Sequence, residues 1–218
     1  EKLKVIHALN PVSTKQIVRG QYWDTNEKNY RVDVNNRKSR TESYVALKVS
    51  IANWRWANTP FYIRTGKKMA HQFSEIAIFF KELPHSIFNN NNQETQNKLI
   101  IRLQPNDRIT LTTNIKEPGP GGMRLTSAPL DMTFSDAVNE SSKKPPDAYE
   151  RLIMDVIRGD QTLFMRGDEV EAAWKWTDSI TKEWTNSNEN PEEYQVGSDG
   201  PPAAKILIEG DRRKWRNI

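Results

Sequence analysis

The 218-residue chain contains no cysteine, which excludes disulfides and thiolate metal sites. It has three histidines, His7, His71 and His85, and none has a companion at metal-ligand or catalytic-triad spacing. No apolar run approaches the roughly 18–20 residues that a membrane span needs, and no signal-like segment opens the chain. Blocks of like charge are missing too: 32 basic residues are nearly balanced by 28 acidic ones, for a net charge of +4. The densest basic cluster, Arg37-Lys38-Ser39-Arg40, lies in polar, Asn-rich sequence and reads as a solvated loop rather than a nucleic-acid face. Neither a membrane nor a nucleic acid is therefore expected as a partner, no metal is expected, and the lack of cysteine fits a cytoplasmic address.

An apolar fraction of 36% and a charged fraction of 28% describe a globular chain whose length suits one sizeable domain, residues 1–218. Opening on Glu1 rather than methionine points to a piece of a longer protein.

The periodicities predict a helix over 2–9 stopped by Pro11, then a capping box from Ser13 to Gln16 opening a short helix through Val18, with Gly20 as its stop. Residues 23–42 read as a loop and 44–51 as a half-buried strand with Val45, Leu47, Val49 and Ile51 inward. Alternation returns at 75–81, 99–103, 109–115 and 130–134, interrupted by turn-rich stretches at 84–96 and 117–122. Asp147 caps a helix with the stripe Tyr149, Leu152, Ile153, Val156 and Ile157, ended by Gly159. Asp168 opens another, with Val170, Ala173, Trp174 and Ile180 on one face; 183–193 reads as loop and 197–202 as a turn-rich tail. Short helices, a run of strands and then longer helices predict an α+β fold: a large, mainly antiparallel sheet with helices on one face and the other face free for oligomerisation.

The stretch WRWANTPFYIRTGKKM at 54–69 stands apart. Alternating tryptophans and an apolar run lead into Arg64-Thr65-Gly66-Lys67-Lys68, which places cations at a tight turn where a strand ends. The spacing is not that of a nucleotide-cradling loop, so by itself it supports an anion or hydroxyl contact. Trp54, Trp56, Trp174, Trp176 and Trp184 read as core or interface anchors.

This stretch resembles the PFYLRTGK segment of the glucose-6-phosphate dehydrogenase family. Further segments follow that family's order: VRGQY at 18–22, NKLIIRLQP at 97–105, DAYERL at 147–152, GSDGP at 197–201 and RKWR at 213–216. The resemblance covers nearly the whole chain but only the C-terminal part of the family. It implies oxidation of D-glucose 6-phosphate to 6-phospho-D-glucono-1,5-lactone with NADP, in the pentose phosphate pathway. A histidine base takes the C1 hydroxyl proton while C1–H faces the nicotinamide. In the family that base and the dinucleotide-binding domain precede the counterpart of residue 1. Hence no catalytic residue is assigned here, NADP-binding residues stay unassigned, and residues 1–218 alone are expected to be inactive.

By the resemblance, Lys67 matches the lysine that reaches the sugar-phosphate pocket, and Gln104 matches a position near substrate in some members. Five residues beyond Lys67 most relatives carry a second basic residue; here that position is Gln72, beside His71. A neutral amide can hydrogen-bond a phosphate but cannot neutralise it. Either His71 or Lys68 substitutes, or the register is shifted by one, or the substrate is held more weakly. The resemblance also implies a homodimer or tetramer through the sheet. The competing reading is a non-catalytic oligomerisation or regulatory module with the same fold, which Gln72 favours.

Overall fold

A computed structural model describes residues 1–25, 29–81, 96–120, 124–133, 148–187 and 189–216. His85, Asp147 and most of the 84–96 stretch lie outside the described residues. The elements are α1 (Lys2–His7), a 3-10 turn (Thr14–Gln16), β1 (Ile17–Trp23), α2 (Tyr30–Asp33), β2 (Tyr44–Val49), β3 (Phe61–Gly66), β4 (Ser74–Phe79), β5 (Lys98–Gln104), β6 (Arg108–Lys116), β7 (Leu125–Thr133), α3 (Ala148–Arg158), α4 (Gly167–Ser187), β8 (Glu192–Gln195) and α5 (Pro202–Glu209). The α+β class stands. The strands, expected in one sheet, are divided between two four-stranded sheets, in two compact units: Glu1–His71 with Ala148–Ile218, and Gln72–Asp147.

In the first unit the sheet runs β3-β2-β1-β8, with β1–β2 and β2–β3 antiparallel and β1–β8 parallel. The capping box forms, the Ser13 amide donating to Gln16 Oε1 at 3.0 Å, but the helix it opens is a single turn. From Ile17 the chain is a strand, because Ile17 and Val18 are β-branched and pair with Leu47 and Ala46. Gly20 is therefore not a helix stop. A Cβ there would sit 2.7 Å from Pro201 Cγ and 2.9 Å from Tyr194 Cδ1, so its bareness lets β8 and the tail close on β1.

β2 is the second departure from expectation. Leu47 and Val49 face α4, packing with Ile180, Trp176 and Trp184, while Tyr44 and Ala46 pack with Tyr194 and Ala204. Both faces of this sheet are thus covered by helices, not one. Fully burying an aliphatic or aromatic side chain contributes about 1.5–3 kcal/mol, so these two clusters fix β2 at the centre of the unit. α4 runs five residues past its expected end, and the Arg166 guanidinium rather than a simple cap engages Asp168, at 2.6 Å. Asn29 caps the one-turn α2 inside the expected loop, accepting from the Val32 amide at 3.0 Å. After the turn at 197–200, α5 starts at Pro202 and buries Ala204 and Ile208.

The second unit is a meander, β4-β5-β6-β7, antiparallel throughout. β7 starts five residues earlier than expected and carries Pro129, which an edge strand tolerates. Two apolar rows cross all four strands on one face: Ile76, Ile101, Ile109 and Met132, then Ile78, Leu99, Leu111 and Leu130. The other face carries the Arg102–Glu75 ion pair at 3.1 Å and the Thr110–Asp131 hydrogen bond.

Candidate functional site

Lys67 follows directly on β3, in the turn that Gly66 begins. Gly66 pairs with Tyr44, and a Cβ at 66 would lie 2.6 Å from Tyr44 Cδ2, so only glycine lets the turn rest on that ring. Both backbone groups of Lys67 are bonded. Its amide donates to the Ser43 carbonyl at 2.8 Å, and its carbonyl accepts from the Tyr194 hydroxyl at 2.7 Å. The next carbonyl, of Lys68, accepts from the Gly197 amide at 2.9 Å, and the Ala70 amide donates to the Ser198 carbonyl at 3.0 Å. The turn is clamped from both sides.

The two lysines then differ. Lys68 sits in the left-handed region at φ 53°, its Nζ 3.7 Å from Asp33 Oδ2 and 5.4 Å from the Tyr22 ring centre. That ammonium is already engaged inside the unit, which sets it against the expectation that Lys68 could substitute for a second substrate cation. The Lys67 side chain is exposed and makes no ion pair among the described residues. It is the one of the two that remains available to an anion or a sugar hydroxyl.

Gln72 and Gln104 belong to the second unit, and Lys67 to the first. Gln104 ends β5 and donates through Nε2 to Ser74 Oγ at 3.2 Å; the Gln104–Pro105 peptide is cis. Ser74 pairs with Gln104 at the start of β4, two residues past Gln72. The two glutamines are therefore brought to the same end of the second sheet. Gln72 and His71 are both exposed.

Around β3 lies a second polar cluster that spacing did not reveal. The Tyr62 hydroxyl donates to Asp211, and Lys48 Nζ lies 2.5 Å from the same carboxylate. The hydrogen bond from Lys48, then that from Tyr62, holds the Asp211 carboxyl below the ordinary carboxylate range. Arg64 stacks over Trp215 at 4.7 Å, and the Trp215 indole N–H donates to the Ala204 carbonyl at 2.7 Å. An open groove of about 830 Å³ lies beside this cluster, lined by Trp54, Trp56, Pro60, Asp211 and Arg213 among others, and Lys67 is not part of it. Trp176 and Trp184 pack against the core as expected, whereas Trp54 and Trp174 are 99% and 63% exposed.

The family model for the glucose-6-phosphate dehydrogenase C-terminal domain matches residues 1–216. The chain belongs to that family. It is 48% identical to the glucose-6-phosphate 1-dehydrogenase of Rhizobium meliloti over 227 residues, covering 100% of this chain and 46% of the relative. It is also 48% identical to that of Mycolicibacterium smegmatis, covering 99% and 45%. A solved structure described as glucose-6-phosphate dehydrogenase in complex with its substrate glucose-6-phosphate matches with a TM-score of 0.85 at 29% identity, covering 100% of this chain and 45% of that one. The glucose-6-phosphate 1-dehydrogenase of Mycobacterium avium matches with a TM-score of 0.78, also at 29% identity, covering 99% and 43%. The chain thus spans less than half the length of the relatives it matches.

Proposed function

We propose that this chain is the C-terminal part of an NADP-dependent glucose-6-phosphate 1-dehydrogenase, in which Lys67 holds the sugar phosphate or a sugar hydroxyl. The observation that carries the reading is an exposed, uncommitted ammonium on a turn whose backbone is fixed on both sides. An ammonium donates in several directions without planar alignment, so it suits a phosphate or hydroxyl presented from one side. Relatives named for this reaction, and a matched structure described with glucose 6-phosphate, support the substrate.

NADP does not fit the described residues as a principal site. Among the described residues the one parallel strand pair, β1–β8, joins segments far apart in sequence, and the glycine turn from β8 into α5, Gly197-Ser198-Asp199-Gly200-Pro201, lacks the G-x-G-x-x-G spacing of a dinucleotide-binding turn. The dinucleotide and the proton-abstracting base are assigned to the remainder of the family's chain, and no step is routed through either here. The part played by this chain is to hold the substrate and, in the second unit, to self-associate. Gln104, and Gln72 as a neutral hydrogen-bonding group, are the further proposed contacts to the substrate.

Self-association, as a dimer or tetramer, is proposed through the apolar rows of the second sheet, where Leu130 is 60% exposed and Met132, Ile76 and Leu103 are about half exposed. No helix among the described residues is long and apolar enough to cross a membrane, and a cytoplasmic location is proposed on that basis and on the absence of cysteine. Gln72 favours the competing module without catalysis. The two readings separate in one assay: the full-length protein should reduce NADP with glucose 6-phosphate, while residues 1–218 alone should not. A full-length protein that binds itself but produces no NADPH would establish the module instead.

A further inference from the structure

We propose that Tyr194 is a positioning residue for Lys67, fixing the turn that presents its ammonium to the substrate. This rests on the reading of Lys67 as a substrate contact. Tyr194 lies on β8, 127 residues from the turn it touches, and is 2% exposed. A residue that only filled this core would need no hydroxyl, and burying one without use is unfavourable. The single phenolic proton has the Lys67 carbonyl at 2.7 Å and the Ser43 carbonyl at 3.2 Å. The nearer oxygen belongs to Lys67, and the Ser43 carbonyl is already served by the Lys67 amide. The hydroxyl therefore closes a ring in which both backbone groups of Lys67 have buried partners.

The neighbouring atoms reinforce that role. Ser43 Oγ lies 3.1 Å from the same phenol and accepts from the Tyr22 amide at 3.0 Å, which links the node to β1 and β2. Burial raises the Tyr194 phenol above its ordinary pKa, so it stays a proton donor across the physiological range. Gly200 approaches the Tyr44 ring as closely as Gly66 does. At φ 104°, with a Cβ position 2.4 Å from Tyr44 Cε2, Gly200 lets the turn after β8 pack as closely as the turn that carries Lys67. Two glycine turns thus pack against one tyrosine, and the hydroxyl of the second holds the backbone of the turn that carries Lys67.

The test is a double-mutant cycle in the full-length enzyme, with Tyr194→Phe, Lys67→Ala and the combination. Tyr194→Phe should raise KM for glucose 6-phosphate about tenfold, with kcat and KM for NADP within about twofold, as expected when an ammonium is displaced but kept. Added to Lys67→Ala, it should change that KM by less than about twofold, because it acts through the ammonium already removed. Should Tyr194→Phe fold poorly, Ser43→Ala leaves the phenol in place with one partner fewer and should raise the same KM about threefold. An unchanged KM in Tyr194→Phe beside a raised one in Lys67→Ala overturns the positioning role alone, as does full additivity in the double variant. An unchanged KM in Lys67→Ala overturns the substrate reading itself, and the positioning role with it.

Discussion

Removing the Lys67 ammonium is expected to weaken glucose 6-phosphate binding while leaving the fold intact. The side chain is exposed and has no ion-pair partner among the described residues, so Lys67→Ala deletes no internal contact. Surface substitutions of that kind stay within about 0.5 kcal/mol of the parent stability. A hydrogen bond to a charged group contributes about 1.5–3 kcal/mol, and about 1.4 kcal/mol is tenfold in affinity, so KM for the sugar phosphate should rise about 10- to 100-fold. KM for NADP should move less than about twofold, since no dinucleotide contact is assigned to this turn. The assay is NADPH formation by the full-length enzyme at varied glucose 6-phosphate, with a thermal unfolding curve for each variant. An unchanged KM refutes the reasoning. So does a thermal midpoint that falls far enough to explain the lost affinity by unfolding.

Three further outcomes follow from the same geometry. Gln72→Arg should lower KM for glucose 6-phosphate by up to about tenfold by restoring the second cation, and an unchanged or higher KM removes Gln72 from the site. Leu130→Asp places a charge in the exposed apolar row of the second sheet and should shift the sedimentation of the full-length enzyme to a smaller species; an unaltered oligomer removes that face from the interface. Burial pushes the phenols of Tyr44 and Tyr22 up to about 12. The folded chain keeps those protons where the unfolded chain loses them, so their stabilisation is full below pH about 10 and is lost as pH climbs through about 12. The Tyr44 hydroxyl has no hydrogen-bond partner among the described residues, so Tyr44→Phe should raise stability by about 1 kcal/mol at neutral pH and flatten the alkaline loss. A lower thermal midpoint for that variant contradicts the account.

What the sequence made legible depended on how local the cause was. β5 and β6 are legible from alternation because the pleat alone sets which residues share a face; β2 is legible as a strand but not as one covered on both faces, and α4 as a helix whose expected stripe is off, since Val170 and Trp174 are exposed while Trp176, Ile180 and Trp184 pack inward. β1 was misread because its capping box is real, yet pairing with β2 overrides it within one turn. β8 carries a single inward aromatic, Tyr194, and exists as a strand only because β1 lies beside it. α5 left a signal that went unread: Pro202 at its first turn, with Ala204, Leu207 and Ile208 at helical spacing. The division into two sheets has no counterpart in periodicity, since a strand's alternation does not say which neighbour it pairs with.

The candidate site divides the same way. Lys67 is proposed from its motif, and the left-handed Lys68 beside it carries no such mark, although the two share charge and neighbourhood. Ser43 and Tyr194 were not found at all. They act on backbone carbonyls and amides, which carry no residue identity, and across 151 residues of chain.

The central claim is that Lys67 touches the sugar phosphate, and a crystal structure of the full-length enzyme with glucose 6-phosphate tests it most directly. Lys67 Nζ is predicted within about 3 Å of a phosphate or hydroxyl oxygen of the sugar, with the Tyr194 hydroxyl still on the Lys67 carbonyl. A bound substrate whose nearest oxygen lies beyond about 6 Å from that nitrogen, with no water between them, contradicts it.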